Sequence, residues 1–204
     1  MITSITLISG YALGYAAIHS LAASHAAKNW AQQTWGTAAT RWYRLMYNVA
    51  STLLLLPFVP MLLWLPDRLL YTLPSPWIWL ALLGQAAALS ATVYGVWLTD
   101  PWHFLGLRQL NNPSAAPVPQ HDKLVVTGLY RWVRHPLYFC GLILIWLTPQ
   151  MTINRLVLAI IFSAYLYIGT FFEEQRLVRE FGADYRAYQQ QVPRLFPRLW
   201  SQQR

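Results

Sequence analysis

The sequence predicts an all-α integral membrane protein of about five transmembrane helices, ending in a helical hairpin and a short cytoplasmic helical tail. Three observations predict it. Hydrophobic residues make up 56% of the 204 residues and charged residues only 11%, far below the roughly 25% charged of soluble domains. Long windows lack Lys, Arg, Asp and Glu, as a helix of about 20 residues in hydrocarbon requires. The basic residues also fall almost wholly on one side of those windows.

The first window lies within residues 2–24, and without a small-residue cleavage pattern behind it the segment is expected to remain as a span. The second lies within residues 45–66, where Pro57 and Pro60 are expected to kink the helix. The third occupies residues 76–98. The fourth and fifth, 136–152 and 156–172, are separated only around Asn154 and Arg155, which predicts an antiparallel helical hairpin. The stretch "LPDRLLYTLPSPWIW" reads as an aromatic interfacial belt without a function of its own. Residues 99–127 are the long polar connection, with "NNPSAAPVP" expected to be mobile and "HFLGLRQL" and "KLVVTGLYRWV" apolar enough to lie back against the helices. A single membrane domain results: a three-helix part over 1–98, a cytoplasmic loop over 99–127, and a hairpin with tail over 128–204.

Threaded through five spans, every Lys and Arg except Arg68 and Arg155 falls on one side. Cytoplasmic loops carry that excess. The N-terminus is therefore expected outside and the C-terminus in the cytoplasm, with a bacterial inner membrane as the setting. The net charge of +8 is then a topology signal, and the charges do not form the basic face that nucleic acid requires. The one cysteine, Cys140, excludes an intramolecular disulfide framework and a Cys-rich metal site. No metal ligand set is expected.

Pro136 suits the first turn of a helix, so "RHP" marks the entry to the fourth span. The fifth span returns to "FFEEQR", and an antiparallel hairpin puts Arg134 and His135 beside Glu173 and Glu174. Neighbouring residues on a helix point about 100° apart, so one glutamate can face inward and the other outward. As exposed ion pairs these groups contribute at most about 1 kcal/mol each. As ionisable groups at membrane depth they mark a site, and Arg, His and two Glu suit a zwitterionic ligand, guanidinium to carboxylate and glutamate to ammonium.

"TGLYRWVRHPLYFCG", followed by "EEQRLVREFGADYRAYQQQVPRLFP", resembles the signature of membrane-embedded methyltransferases that include isoprenylcysteine carboxyl methyltransferase and the phospholipid methyltransferases. It covers about the last 80 residues. Within that group "FLGLRQ", "TPQMT", "HSLAASHAAK" and "RWYRLMYNVAS" look similar to bacterial methanethiol S-methyltransferases and NnrU-like membrane proteins. The resemblance implies S-adenosylmethionine as cofactor and a pocket lined by Gly128, Tyr130, Arg134, His135, Tyr138, Glu173 and Glu174. Arg134 or His135 would hold the carboxylate and Glu173 or Glu174 the ammonium or ribose. An aromatic ring such as Tyr138 would face the sulfonium. The Gly-rich turn that a soluble-type fold uses for such a cofactor is missing. Phe181, Gly182, Tyr185 and Tyr188 are expected in a short helix over that pocket.

The implied acceptor is a small thiol such as methanethiol, or alternatively an isoprenylcysteine or lipid-borne carboxyl or amine group. A thiol is only a few per cent ionised at neutral pH, so a positive charge from Arg108 or Arg44 is expected to raise the thiolate fraction, without a dedicated general base. His19 and His25 are six apart and share no helix face. A lone His in such a segment reads first as a satisfied buried polar residue; its functional readings are that His19 reaches the substrate cavity or, on the NnrU-like alternative, is an axial haem ligand of a membrane accessory or isomerase-type protein. Membrane lipid is the expected surrounding partner, and the oligomeric state is left open.

Overall fold

The computed structural model describes residues 1–111 and 124–198. "NNPSAAPVP", apart from its first asparagine, lies outside the described residues. In chain order the helices are α1 (Ile2–Ala23), α2 (His25–Trp35), α3 (Thr37–Leu55) and α4 (Phe58–Trp64), then a strand β1 (Leu69–Thr72). There follow α5 (Trp77–Leu98), α6 (Pro101–Leu105), α7 (Leu107–Asn111), a 3-10 turn over Gly128–Arg131, α8 (Pro136–Trp146), β2 (Gln150–Thr152), α9 (Ile153–Phe181) and α10 (Ala183–Gln191). Among the described residues, Ile2–Ala23, Thr37–Trp64, Trp77–Leu98 and Ile153–Phe181 are long and apolar enough to cross a membrane. The protein is an all-α membrane protein with, among the described residues, one minor two-stranded sheet.

The chain divides into two compact units. The first holds residues 1–72, 100–111 and 150–162. Its α1 stops at Ser24, whose backbone is extended and whose hydroxyl accepts a hydrogen bond from the Ala27 N–H to cap α2, a role that short polar side chains fill well. The predicted kink is at Pro57, where α3 ends and α4 begins. Pro60 does not add a second break, because it lies in the first turn of α4, where a backbone N–H has no helical partner to lose. Tyr15, Ala12 and Phe58 form the buried core of this unit, with Tyr11, Leu54, Leu158, Ile161 and Phe162 packed on it. By contrast Leu13, Ile18, Leu53, Leu56 and Leu63 are exposed, as side chains facing lipid are.

The supposed featureless belt is tied down in this same unit. β1 pairs antiparallel with β2, Tyr71 opposite Met151. Asp67 accepts hydrogen bonds from the N–H groups of Arg68 and Asn154, placing a carboxylate on the positive N-terminus of α9. Asn154 is fully buried and donates to the Pro66 carbonyl, as does Ser4.

The second unit holds residues 73–99, 124–149 and 163–198. α5 packs on α8 through small residues: a Cβ on Gly95 would lie 2.7 Å from Leu137, and one on Gly84 would collide with Leu147. Close backbone approach of this kind is how apolar helices associate in lipid. Two predicted boundaries change. α8 has only 11 residues, about 16 Å of rise, because residues 150–152 leave the helix to pair with β1. α9 runs 29 residues to Phe181 rather than ending near 172, so Glu173 and Glu174 lie within regular helix. Past Gly182, α10 leads into a tail that folds back, with Pro193 and Arg194 carbonyls accepting hydrogen bonds from the Arg134 and His135 N–H groups.

Candidate functional site

Within the second unit the RHP segment meets the two glutamates as the hairpin predicts. Pro136 occupies the first helical position of α8 and His135 its cap. One buried carboxylate, Glu174, collects donors from four residues. Arg134 reaches its Oε1 through Nε and Nη2 at 2.7 Å each. His135 Nε2 stands 3.2 Å from the same oxygen, while Gln189 and Arg194 donate to Oε2 at 3.1 and 3.0 Å. The remaining Arg134 nitrogen, Nη1, donates to the Gln189 and Val192 carbonyls. Arg134 is thereby engaged on protein acceptors, and Arg194 is further held over the Phe171 ring at 4.0 Å.

Glu173 is placed differently. Its side chain is 32% exposed, and its partners are His135 Nδ1 at 3.2 Å, the Tyr138 hydroxyl, and Arg176 at a looser 3.9 Å. The Arg176 Nε is buried without a hydrogen-bond partner among the described residues. His135 and Tyr138 stack nearly parallel, 9° apart with centroids at 5.4 Å. His135 thus bridges both glutamates with its two ring nitrogens. Burial is the largest influence on it and lowers its pKa, but hydrogen bonds to Glu173 and Glu174 and their charges outweigh burial and raise it above 6.5.

Gly128 has φ +59°, a conformation that favours glycine, and a Cβ there would crowd the Leu98 side chain and the Tyr94 hydroxyl. Tyr130 offers its carbonyl to the Tyr188 hydroxyl, and burial, then the charge of Glu173, pushes its phenol up to about 12. Tyr185 is 1% exposed and its hydroxyl has no partner among the described residues. Burial and the Glu174 charge raise its pKa. Phe181 ends α9 and Gly182 caps α10, which carries Tyr185 and Tyr188, so this part of the tail is helical as expected.

The three expected acceptor-side residues, Arg44, Arg108 and His19, all lie in the first unit. Arg44 Nη1 is 2.9 Å from His103 Nδ1, and Arg108 pairs with Asp100 at 3.0 Å while staying 64% exposed. His19 has Ser51 Oγ 3.0 Å from Nδ1 and the Tyr47 hydroxyl 2.7 Å from Nε2. "FLGLRQ" is fastened to α3: Arg41 donates to the Leu110 carbonyl and Asn48 to that of Phe104, and Gly106, at φ +88°, sits against the Leu45 and Arg44 backbone. No group of three or more His, Cys, Asp or Glu suited to a metal occurs among the described residues.

Sequence reasoning missed Arg176, Gln189 and Arg194 as members of this cluster. A signal existed for Arg176, which stands three residues after Glu173 and so on the same helix face. None existed for Gln189 and Arg194, whose approach depends on the turn at Gly182.

Residues 107–181 match the isoprenylcysteine carboxyl methyltransferase family. A methanethiol S-methyltransferase of Pseudomonas sp. (strain GM41(2012)) is 36% identical over 162 residues, covering 76% of this chain and 60% of that protein. One of Pseudomonas deceptionensis is 37% identical over 117 residues, 57% of this chain and 43% of that protein. One of Mycobacterium tuberculosis is 32% identical over 115 residues, 56% of this chain and 46% of that protein. This chain thus spans 60% or less of the length of these relatives. No solved structure matches it. The segment that carries the His135 and glutamate cluster therefore has the pattern of the isoprenylcysteine carboxyl methyltransferase family, in a chain similar to methanethiol S-methyltransferases.

Proposed function

We propose that this chain is a membrane-embedded, S-adenosylmethionine-dependent methyltransferase acting on a small thiol. The observation that carries the reading is the division of labour between adjacent glutamates. Glu174 is buried and saturated by protein donors, whereas Glu173 is partly exposed beside an Arg176 Nε that lacks an acceptor among the described residues. A carboxylate with spare capacity next to a guanidinium whose Nε has no acceptor among the described residues suits an ammonium and a carboxylate presented together. These are the charges of an amino-acid end, so the residues present fit the cofactor.

When bound, the cofactor supplies a methyl group already activated by a positive sulfur. The chain's own residues then need to hold and orient. Glu173 would accept from the ammonium and Arg176 would fork onto the carboxylate, while the face of the Tyr138 ring would favour the sulfonium. Of the alternatives that the resemblance left open, Arg134 or His135 and Glu173 or Glu174, this reading gives Arg134 and Glu174 the holding of the RHP segment and the tail. Gly128 and Tyr130 shape the loop beside them. Arg44 and Arg108 supply positive charge that favours the thiolate. Replacing each with Met is expected to lower methylation with cofactor binding intact, and undiminished turnover in both would reject that role.

The test is calorimetric binding of S-adenosylhomocysteine to the purified protein, followed by methyl transfer to methanethiol against a prenylated cysteine analogue. Product from methanethiol alone supports the reading, product from the prenylated analogue moves the acceptor to a carboxylate, and no binding at all overturns both. We also infer an outside N-terminus, a cytoplasmic C-terminus and a bacterial inner membrane from the basic asymmetry. Since Cys140 is buried, labelling of Thr3→Cys and Arg198→Cys from each side of sealed vesicles would check this topology.

A further inference from the structure

We infer that a cavity between α9 and the tail holds the headgroup of an acidic glycerophospholipid, a phosphodiester without an ammonium. The inference concerns the second unit alone and is independent of the methyl acceptor. α9 carries no charged side chain from Leu156 to Phe172 and then turns polar at Glu173, Glu174 and Gln175. That change marks where the helix leaves hydrocarbon. On the apolar side of it Tyr167, Ile168, Phe171 and Phe172 are exposed, as side chains against acyl chains are.

A cavity of about 340 Å³ opens at this boundary. Phe171, Glu174, Gln175, Val178 and Arg179 line it, and their spacings of three and four make one face of α9 its wall. Gln189 and Arg194 close it from the tail. Glu173 and Arg176, two and five residues on from Phe171, lie off that face, so the cavity is separate from the proposed cofactor residues. Its carboxylate, Glu174, is already taken by Arg134, His135, Gln189 and Arg194. With Arg134 balancing Glu174, the charges of Arg179 and Arg194 are in excess. Arg179 is exposed and enters no ion pair among the described residues. Arg194 commits Nη2 to Glu174 and lies over the Phe171 ring at 4.0 Å, and a guanidinium has five N–H donors, so donors are left for an anion. Guanidinium groups suit the oxygens of a phosphate.

The occupant is a lipid because this cationic rim continues onto apolar surface. Phe171 belongs to both, and Phe196, two residues past Arg194, is 64% exposed. Small-molecule pockets run from about 300 to 1,000 Å³, so the volume suits a headgroup whose chains lie outside along α9. A zwitterionic headgroup would bring its ammonium against Arg179. The acidic one holds Arg194 from outside while Glu174 holds it from within, steadying the tail whose Pro193 and Arg194 carbonyls receive the Arg134 and His135 N–H groups.

The experiment is native mass spectrometry of the full chain in detergent, titrated with phosphatidylglycerol and with phosphatidylcholine of the same chains. The unaltered protein is expected to take one phosphatidylglycerol at least about fivefold more tightly than phosphatidylcholine. Arg179→Gln and Gln175→Glu should each weaken phosphatidylglycerol binding by about fivefold, with phosphatidylcholine and S-adenosylhomocysteine binding unchanged. Should one variant fail to fold, the other carries the comparison. Arg186→Gln removes an exposed charge on α10 outside the cavity and should leave the preference intact. An unaltered protein without the preference overturns the inference. So does a preference that survives both cavity variants, or one that falls equally with Arg186→Gln and so reflects surface charge at large. Displacement of phosphatidylglycerol by millimolar inorganic phosphate overturns it as well, because the site would then serve a free anion.

Discussion

Arg134 and Glu174 are joined through two guanidinium nitrogens on a single carboxylate oxygen, both at 2.7 Å, in a pair whose side chains are nearly sealed from solvent. Breaking a buried pair leaves an uncompensated charge and costs about 3–5 kcal/mol. Arg134→Met is therefore expected to lower the melting temperature sharply. Glu174→Gln keeps the shape but surrounds a neutral amide with Arg134 and Arg194, and it too should destabilise.

Glu173 predicts the opposite balance. Its third of exposed surface and looser partners mean that Glu173→Gln should change the melting temperature little while weakening S-adenosylhomocysteine binding at least tenfold. Calorimetry and thermal melts on both variants separate the two glutamates. Equal effects of the two substitutions on both measurements would sink the division.

The meeting of Arg134 and His135 with Glu173 and Glu174 was legible because a short hairpin leaves the chain no other choice. The acceptors that hold Arg134 were not, since two are backbone carbonyls of Gln189 and Val192, and a carbonyl has no residue identity to read. The shortness of α8 was hidden for a related reason. A window without charges shows where a helix can run, and it does not show that residues 150–152 prefer a strand partner 78 to 83 positions earlier. Asp67 was overlooked because a single acidic residue in a loop shows its role only when the helix N-terminus it caps is in place.

His135 makes stability depend on pH in a stated direction. Its folded-state pKa is raised, because the hydrogen bonds and charges of Glu173 and Glu174 outweigh burial. A raised value means the folded state holds the proton more tightly, so the contribution is complete below 6.5 and is lost as pH climbs through the raised pKa. The melting temperature should fall over that alkaline window, and His135→Gln should flatten the fall. A slope unchanged by the substitution would remove His135 as its source.

Two glycines with positive φ separate strain from space. Gly106 and Gly128 both leave the right-handed region, which alone costs an alanine about 1–2 kcal/mol. At Gly128 the nearest obstacle is a Leu98 methyl, which can rotate aside, so Gly128→Ala should cost little more than that. At Gly106 a Cβ would stand 2.6 Å from the Leu45 backbone nitrogen, and backbone within α3 cannot yield. Gly106→Ala is expected to be the more damaging by about 1–3 kcal/mol, measured as the difference in unfolding free energy. A smaller effect at Gly106 than at Gly128 would contradict the docking of "FLGLRQ" on α3.

Tyr185 supplies a test in which stability and binding move apart. Its side chain is 1% exposed, yet the hydroxyl has no hydrogen-bond partner among the described residues. A buried polar group without a partner costs about 1–3 kcal/mol, so Tyr185→Phe should leave the melting temperature of the ligand-free protein unchanged or raise it. The phenol stands within the field of Glu174, Arg134 and Glu173, beside the proposed cofactor residues. If the hydroxyl serves a bound ligand, the same variant should bind S-adenosylhomocysteine more weakly, so that the gain in melting temperature on adding ligand shrinks. A variant with lowered ligand-free stability would show that the hydroxyl has a partner within the fold. One with full ligand-induced stabilisation would place Tyr185 outside the binding site.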